Sequence, residues 1–281
     1  MAKIGLVLEG GAMRGMYTAG ILDSLLDTNI KIDGIIGVSA GALFGVNYCS
    51  KQKGRSLKYN KKYINDPRYM SLKSLLKTGN IVNTEFAYHE MPFKLDPFDE
   101  EAYSKSKTDF YAVITNIRTG QAEYKKIINC SIQIDELRAS GSMPFVSTPV
   151  KIDKEEYLDG ALADSIPVLK CQEMGYDKII VVLTKPLTYR KKKRPAFLAK
   201  MYYRKYPNLV NAINTRYLKY NETLDIIIDK ENKKEIFVFR PSQDLKIKRI
   251  EKDVDKLQAM YDLGVKDFQD NLKALKKYLK S

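Results

Sequence analysis

The stretch Ile35-Ile36-Gly37-Val38-Ser39-Ala40-Gly41 passes from an apolar, β-branched run into a serine framed by Gly37 and Gly41, then into the small-residue run Ala42-Leu43-Phe44-Gly45-Val46. A buried strand that turns abruptly into a helix needs this order. A serine at such a turn has its hydroxyl lifted clear of the backbone, where it can act as a nucleophile. The pentapeptide alone recurs by chance, so its meaning depends on what the chain places at neighbouring strand ends.

Upstream, Ile4-Gly5-Leu6-Val7-Leu8 is a continuous apolar run that ends in Glu9-Gly10-Gly11-Ala12-Met13-Arg14-Gly15 and gives way to helical spacing through Tyr17, Ile21, Leu22, Leu25 and Leu26. Two strand-to-helix units within fifty residues argue for a parallel sheet. Residues 51–107 lose this rhythm. Their first part, Lys51 to Lys62, holds six basic residues and no acidic one, and Asp66-Pro67, Met91-Pro92 and Asp96-Pro97 punctuate the rest. This segment is expected to be an inserted, largely helical cap.

Beyond it, Phe110–Ile114 and Ala122–Ile128 read as strands joined by a turn at Thr119-Gly120. Ile134–Ser140 reads as a short helix, and Val150–Ile152 with Glu156–Leu158 as a hairpin feeding Asp159-Gly160. A helix ending near Gly175 precedes Lys178–Leu183, the clearest core strand. Residues 185–205 contain nine Lys or Arg and no Asp or Glu, interleaved with Tyr189, Phe197, Tyr202 and Tyr203, and read as a solvated segment of high positive potential. Leu209–Ile228 reads as a helix and Ile236–Phe239 as a last strand. The stripe Ile250, Val254, Leu257, Tyr261, Phe268, Leu272, Leu275 and Leu279 has helical spacing, with Gly264 expected to divide it into two helices. The fold class is therefore α/β: three α/β/α layers on a mainly parallel central sheet, with a helical cap insertion and a C-terminal helical extension.

Composition bounds the rest. A chain of 281 residues can bury a substantial core. The longest apolar stretch, about residues 35–48, is too short to span a bilayer. The chain goes straight from Met1-Ala2-Lys3 into a strand-like run, so no N-terminal leader is expected. Cys49, Cys130 and Cys171 match no metal-knuckle spacing and read as reduced, buried thiols of a cytoplasmic protein. The formal net charge of +14 would attract nucleic acid, but no reading motif accompanies it, so nucleic acid is not an expected partner.

An acyl-transfer serine needs a base for its proton and donors aimed at the developing oxyanion. The single histidine, His89, lies in the cap between Tyr88 and Glu90 rather than after a late core strand, which turns attention to a carboxylate. Asp159 ends a hairpin strand, and Gly160-Ala161 after it lets the backbone pass close to another group. The same residue could simply satisfy its own turn, and Asp153 and Asp164 are rivals without a following glycine. For donors, Gly10-Gly11-Ala12 exposes successive N–H groups at a strand end, and a helix starting near Met13 adds its positive end. Arg14 either reaches the anion or caps local carbonyls. A dinucleotide loop would want glycine where Ala12 stands and an acidic residue ending the second strand, where this chain has Ser39.

Gly10-Gly11-Ala12-Met13-Arg14-Gly15, Gly37-Val38-Ser39-Ala40-Gly41 and Asp159-Gly160-Ala161 together resemble the patatin-like phospholipase family, over about residues 4–184. A further block, Ala139-Ser140-Gly141-Ser142-Met143-Pro144 with Pro149, resembles the segment preceding that family's catalytic aspartate. The resemblance implies a Ser39–Asp159 dyad without histidine, an oxyanion loop of Gly10, Gly11, Ala12 and Arg14, an elbow framed by Gly37 and Gly41, and no metal or cofactor. Many members carry a third glycine where this chain has Ala12, so φ below zero is expected there. The implied organisation is a hydrolase domain over residues 1–241, with the cap at about 51–107 and a basic segment at about 185–208, and helices packed on it over 242–281.

The implied activity is a phospholipase A or esterase cleaving fatty-acyl esters, phospholipid among them, through an acyl-enzyme. A non-catalytic lipid-binding protein that keeps the fold is the other reading. The basic segments 51–62 and 185–205 read either as seats on anionic membrane lipid, at its inner face, or as solvated surface with no partner.

Overall fold

The computed structural model describes residues 2–193 and 195–281. The first apolar run forms β1 (Ile4–Leu8), a single 3₁₀ turn over Ala12–Gly15 and then α1 (Met16–Leu26); the second forms β2 (Gly34–Val38) and α2 (Ala40–Cys49). In the inserted region lie α3 (Arg55–Tyr63), α4 (Leu72–Thr78), a π-helix over Glu85–Leu95 that contains Pro92, and α5 (Glu100–Ser104). The sheet resumes with β3 (Asp109–Asn116) and β4 (Ala122–Lys126). It continues through α6 (Ile134–Gly141), β5 (Val150–Ile152), β6 (Glu155–Asp159), α7 (Val168–Glu173) and β7 (Lys178–Val182). The chain closes with α8 (Ala196–Tyr202), α9 (Pro207–Asn232), β8 (Ile236–Phe239) and α10 (Val254–Lys280).

Strand pairing runs β5–β6–β3–β2–β1–β7–β8, with β4 also on β3. The β3–β2–β1–β7–β8 portion is parallel throughout. Alternation along these strands builds the layers, because successive side chains leave a strand on opposite faces. Leu6, Leu8, Ile35, Ile180 and Val182 join one core with α1, α2 and α10. Val7, Ile36, Ile179 and Val181 join a second core with α7 and α9. Both faces of the parallel strands are thus covered, which accounts for their continuous apolar runs.

The register of β3 places the chemistry. Its residue Val113 pairs with Val38 at the end of β2, and its next residue, Ile114, pairs with Asp159 at the end of β6. Since β4 occupies one edge of β3 over residues 111–115, β2 and β6 must share the other edge, meeting end to end. The residue following Val38 is therefore brought against Asp159 by backbone pairing alone.

The expected break at Gly264 is not found: α10 continues without interruption from Val254 to Lys280. Gly264 instead marks a helix crossing. A Cβ there would stand 2.3 Å from the Tyr17 carbonyl oxygen, and one on Gly20 would stand 2.2 Å from that of Tyr261. The two glycines let α1 and α10 approach at backbone distance. At the far end of α10, the Tyr278 hydroxyl accepts the Ile179 N–H at 3.0 Å and donates to the Glu235 carbonyl at 2.9 Å, tying the helix to the sheet.

Candidate active site

Ser39 sits between the end of β2 and the start of α2 with φ 55° and ψ −122°. A non-glycine residue in such a region costs on the order of 1–3 kcal/mol and persists only where its surroundings hold it. They do so here: the Ser39 N–H donates to Ser140 Oγ at 2.9 Å, from α6. Ser39 Oγ donates to Asp159 Oδ2 at 2.8 Å, and both residues are buried.

Each polar group of Asp159 is used. Oδ1 accepts the Ala161 N–H at 2.9 Å, the backbone N–H donates to the Ser142 carbonyl at 2.8 Å, and its own carbonyl accepts Thr115 Oγ1 at 2.9 Å. The turn role and the pairing with serine thus coexist, one on each carboxylate oxygen. Gly160 passes so close to β3 that a Cβ would lie 2.2 Å from the Val113 carbonyl oxygen. Burial pushes the Asp159 carboxyl above its ordinary range, against the opposing pull of Arg216, the Ala161 N–H, Ser39 and Arg249. A carboxylate so placed is a better base than a solvated one.

The glycine loop lies over Ser39. The Met13 N–H donates to the Arg249 carbonyl at 3.3 Å and the Arg14 N–H to the Gly11 carbonyl at 3.2 Å. Among the described residues, the N–H groups of Gly10, Gly11 and Ala12 have no backbone partner. The expectation for Ala12 is corrected: its φ is +49°. The third position of the loop adopts the left-handed conformation that a glycine would take without strain, and the alanine keeps it. The helix also begins later than expected, since Ala12–Gly15 is a 3₁₀ turn and α1 starts at Met16.

Two cavities meet at Ser39. One, of about 130 Å³, is apolar and lies under the inserted helices, lined by Leu43, Phe44, Tyr59, Met70, Val82 and Met91 among others. The second, of about 830 Å³, contains Asp159 and the glycine loop. Its lining carries eight Lys or Arg side chains against three carboxylates. His89 lines neither cavity.

Segment 185–205 is largely exposed, as expected, but is fastened at particular points; its Arg194 lies outside the described residues. The Lys191 N–H donates to Asn221 Oδ1 at 2.8 Å, its carbonyl accepts Asn221 Nδ2 at 3.1 Å, and its Nζ stands 4.1 Å from the Tyr220 ring centre. Tyr203 and Ala199 are buried. Segment 51–62 is likewise drawn into local pairing, Lys58 and Lys62 with Asp96 and Lys53 with Asp27.

Several contributors have contacts that the sequence reading did not assign, Ser140 and Ser142 of the block before Asp159 among them. Ser140 and Ser142 are the stitches that hold Ser39 and Asp159. Glu9, buried at the end of β1, accepts the Thr184 N–H and hydroxyl on Oε2 at 2.6 and 3.0 Å and the Tyr220 hydroxyl on Oε1 at 2.7 Å. An acidic residue closing an apolar strand was its only signal, since a buried carboxylate must find such partners. Cys49, Cys130 and Cys171 are buried free thiols. Among the described residues, no group of three or more His, Cys, Asp or Glu could hold a metal ion, and no helix is long and apolar enough to cross a membrane.

A family model described as patatin-like phospholipase matches residues 6–171, and one described as a domain of unknown function (DUF6363) matches residues 206–280. The uncharacterized protein YjjU of Escherichia coli is 27% identical over 197 residues, covering 66% of this chain and 52% of that protein. The lysophospholipase nte1 of Aspergillus oryzae is 27% identical over 185 residues, covering 64% of this chain and 12% of that protein. The probable lipid hydrolase 463L of Invertebrate iridescent virus 6 is 27% identical over 213 residues, covering 66% and 71% respectively. The chain therefore spans about half the length of the first of these relatives and a small part of the second.

Proposed function

We propose that this chain, which belongs to the patatin-like phospholipase family, is a lipid acyl hydrolase that cleaves fatty-acyl esters with a Ser39–Asp159 pair. The observation that carries this reading is the 2.8 Å hydrogen bond from Ser39 Oγ to a buried carboxylate, set between an apolar cavity and a polar one. Ser39 Oγ attacks the ester carbonyl while its proton passes to Asp159 Oδ2. The N–H groups of Gly10, Gly11 and Ala12, with Ala40 at the start of α2 and the Arg14 side chain, face the oxygen that becomes negative. Collapse of the tetrahedral intermediate expels the alkoxide, which takes the proton from Asp159. Water, deprotonated by the same carboxylate, attacks the acyl-enzyme and releases the fatty acid, returning the proton to Ser39.

The test is covalent labelling by a fluorophosphonate. The native protein should label at Ser39, and Ser39→Ala should neither label nor turn over esters. Equal labelling of both would remove Ser39 as nucleophile, and a native protein that binds lipid but neither labels nor hydrolyses would be a binding protein on the same fold.

Peripheral contact with anionic membrane is proposed for the α8 side of the molecule, not for segment 51–62, whose lysines are largely paired. On α8, Phe197 and Met201 are 63% and 67% exposed, beside Lys200, Arg204 and Lys205. Apolar side chains among cations are suited to an anionic headgroup layer. Co-sedimentation with phosphatidylglycerol vesicles should weaken with rising salt and with Phe197→Ser/Met201→Ser; binding indifferent to both would end the idea.

A further inference from the structure

The two cavities are not equivalent with respect to the reaction. Asp159 lines the polar one and is absent from the lining of the apolar one, whereas Ser39 lines both. The group that protonates the departing alkoxide must stand on the leaving group's side. If the acyl chain enters the apolar cavity, the alcohol portion of the ester occupies the polar chamber.

That chamber is strongly cationic, and the charge comes from four separate stretches of chain. Arg14 follows the glycine loop, Lys185 and Lys191 follow β7, Arg216 lies on α9 and Arg249 precedes α10. Each is anchored. The Arg249 carbonyl holds the Met13 N–H, Arg216 Nε donates to Ser165 Oγ at 3.3 Å, and Lys191 is held at its backbone by Asn221. Arg14 Nε is buried and has no hydrogen-bond partner among the described residues. Of the three carboxylates in the lining, Glu9 accepts from Thr184 and Tyr220, Asp159 from Ser39 and Ala161, and Asp244 accepts the Lys246 N–H and lies within electrostatic reach of Lys185.

Crowding of like charge is felt by the lysine at the centre. Burial, then Arg216, Arg249 and Arg14, lower the Lys191 ammonium to about 7, with Glu9 opposing. The part of this lowering that comes from neighbouring cations would be relieved by an anion in the chamber.

We infer that this chamber binds the head of the substrate and selects lipid esters whose phosphate-bearing head has a net negative charge, as in phosphatidylglycerol, over zwitterionic and uncharged esters. The inference rests on the Ser39 reading given above and adds the chemical class of the leaving group. Guanidinium forks and an ammonium are the natural partners of phosphate oxygens. A chamber of about 830 Å³ has the volume of a small-molecule site. The cations Lys185, Lys191, Arg216 and Arg249 all lie beyond residue 171, where the patatin-like match ends.

The test uses lipids below their critical micelle concentration, so that no membrane surface contributes. kcat/KM is measured for monomeric dihexanoyl phosphatidylglycerol, dihexanoyl phosphatidylcholine and p-nitrophenyl hexanoate. The full-length native protein should prefer phosphatidylglycerol over phosphatidylcholine by roughly tenfold or more. Lys191→Gln and Arg249→Gln should each bring that ratio towards one, and Lys191→Arg should retain it. A merely structural role would lower all three substrates together and leave the ratio unchanged, which would overturn the assignment. A native ratio near one would overturn it without touching Ser39, and so would a preference seen only on vesicles. Absence of turnover on every ester, with no fluorophosphonate labelling, would instead remove the Ser39 reading and this inference with it.

Discussion

The two chambers that meet at Ser39 are walled by different parts of the chain. The apolar one is lined wholly by residues between Ala12 and Met143, largely from α2 and the inserted helices. The cationic one takes Lys185, Lys191, Arg216 and Arg249 from the last hundred residues, folded back over the glycine loop and Asp159. The apolar wall belongs to the stretch matched as patatin-like phospholipase; the cationic chamber joins the glycine loop, Asp159 and residues 143–146 of that stretch to segments beyond it. The contrast separates two properties that a hydrolase must set independently. On the reading proposed above, the acyl side is built wholly within the matched stretch, and the head side adds Lys185, Lys191, Arg216 and Arg249 from beyond it.

The largest expected effect strikes the junction of the chambers. Asp159→Asn keeps an acceptor for the Ala161 N–H but removes the base, so turnover of every ester should fall by about 10⁴-fold or more. The same change should raise thermal stability at neutral pH. Because burial raises the folded-state pKa of Asp159 above the ordinary 3.8, the protonated form is the one the fold favours. That contribution is complete below the unfolded pKa and is lost as pH rises through the raised value. At neutral pH the ionised carboxylate is therefore a cost that asparagine lacks, and the gain in melting temperature should vanish in acid. In the native enzyme, turnover should fail on the acid side at a pH above that of an ordinary aspartate. An acid limb at the solvated value, or an Asn variant that is less stable at neutral pH, would show that Asp159 is not held as a desolvated base.

A smaller effect is expected at the wall of the cationic chamber. Glu9→Ala would leave the Thr184 N–H, the Thr184 hydroxyl and the Tyr220 hydroxyl without their acceptor. Buried donors so orphaned cost about 1–3 kcal/mol each, and allowing for water reaching some of them from the cavity, a loss of about 3 kcal/mol is expected in urea unfolding. Lys191, stacked over Tyr220 at 4.1 Å, should move with it, so the phosphatidylglycerol preference should drop as well. A denaturation midpoint matching the native protein would mean that the chamber stands without Glu9.

The same contrast explains what could be read from the sequence. β1, β2, the elbow at Ser39 and the hairpin ending in Asp159 were legible because each is a local pattern of apolar runs closed by glycine. That Ser39 and Asp159 meet was expected from resemblance, and its cause is the register of β3, which no local pattern states. Gly264 was misread because a glycine in a helical stripe signals a break or a close crossing equally well, and only the presence of Gly20 on α1 decides between them. Ala12 was misread because side-chain identity gave φ below zero, whereas the loop imposes +49°. The cations of the head chamber were visible as charge but not as a site, since residues 14, 191, 216 and 249 come together only through α9 and the segment before α10.

The smallest effect on turnover concerns the apolar wall and should leave the cationic one untouched. Met91, buried on the π-helix, lines the cavity of about 130 Å³ under the inserted helices. Met91→Ala would open room there, with a stability loss of about 2–5 kcal/mol where the site cannot collapse, so the assay belongs at low temperature. Each further methylene that finds a place is stabilised by about 0.8 kcal/mol, or roughly fourfold in kcat/KM. Over a series of p-nitrophenyl esters, the preferred acyl chain should therefore lengthen by about one or two carbons, while the ratio of phosphatidylglycerol to phosphatidylcholine hydrolysis stays at the native value. A fall in activity with an unmoved chain-length optimum would place the acyl chain elsewhere, and a shift in the head ratio would show that the two chambers are not independent.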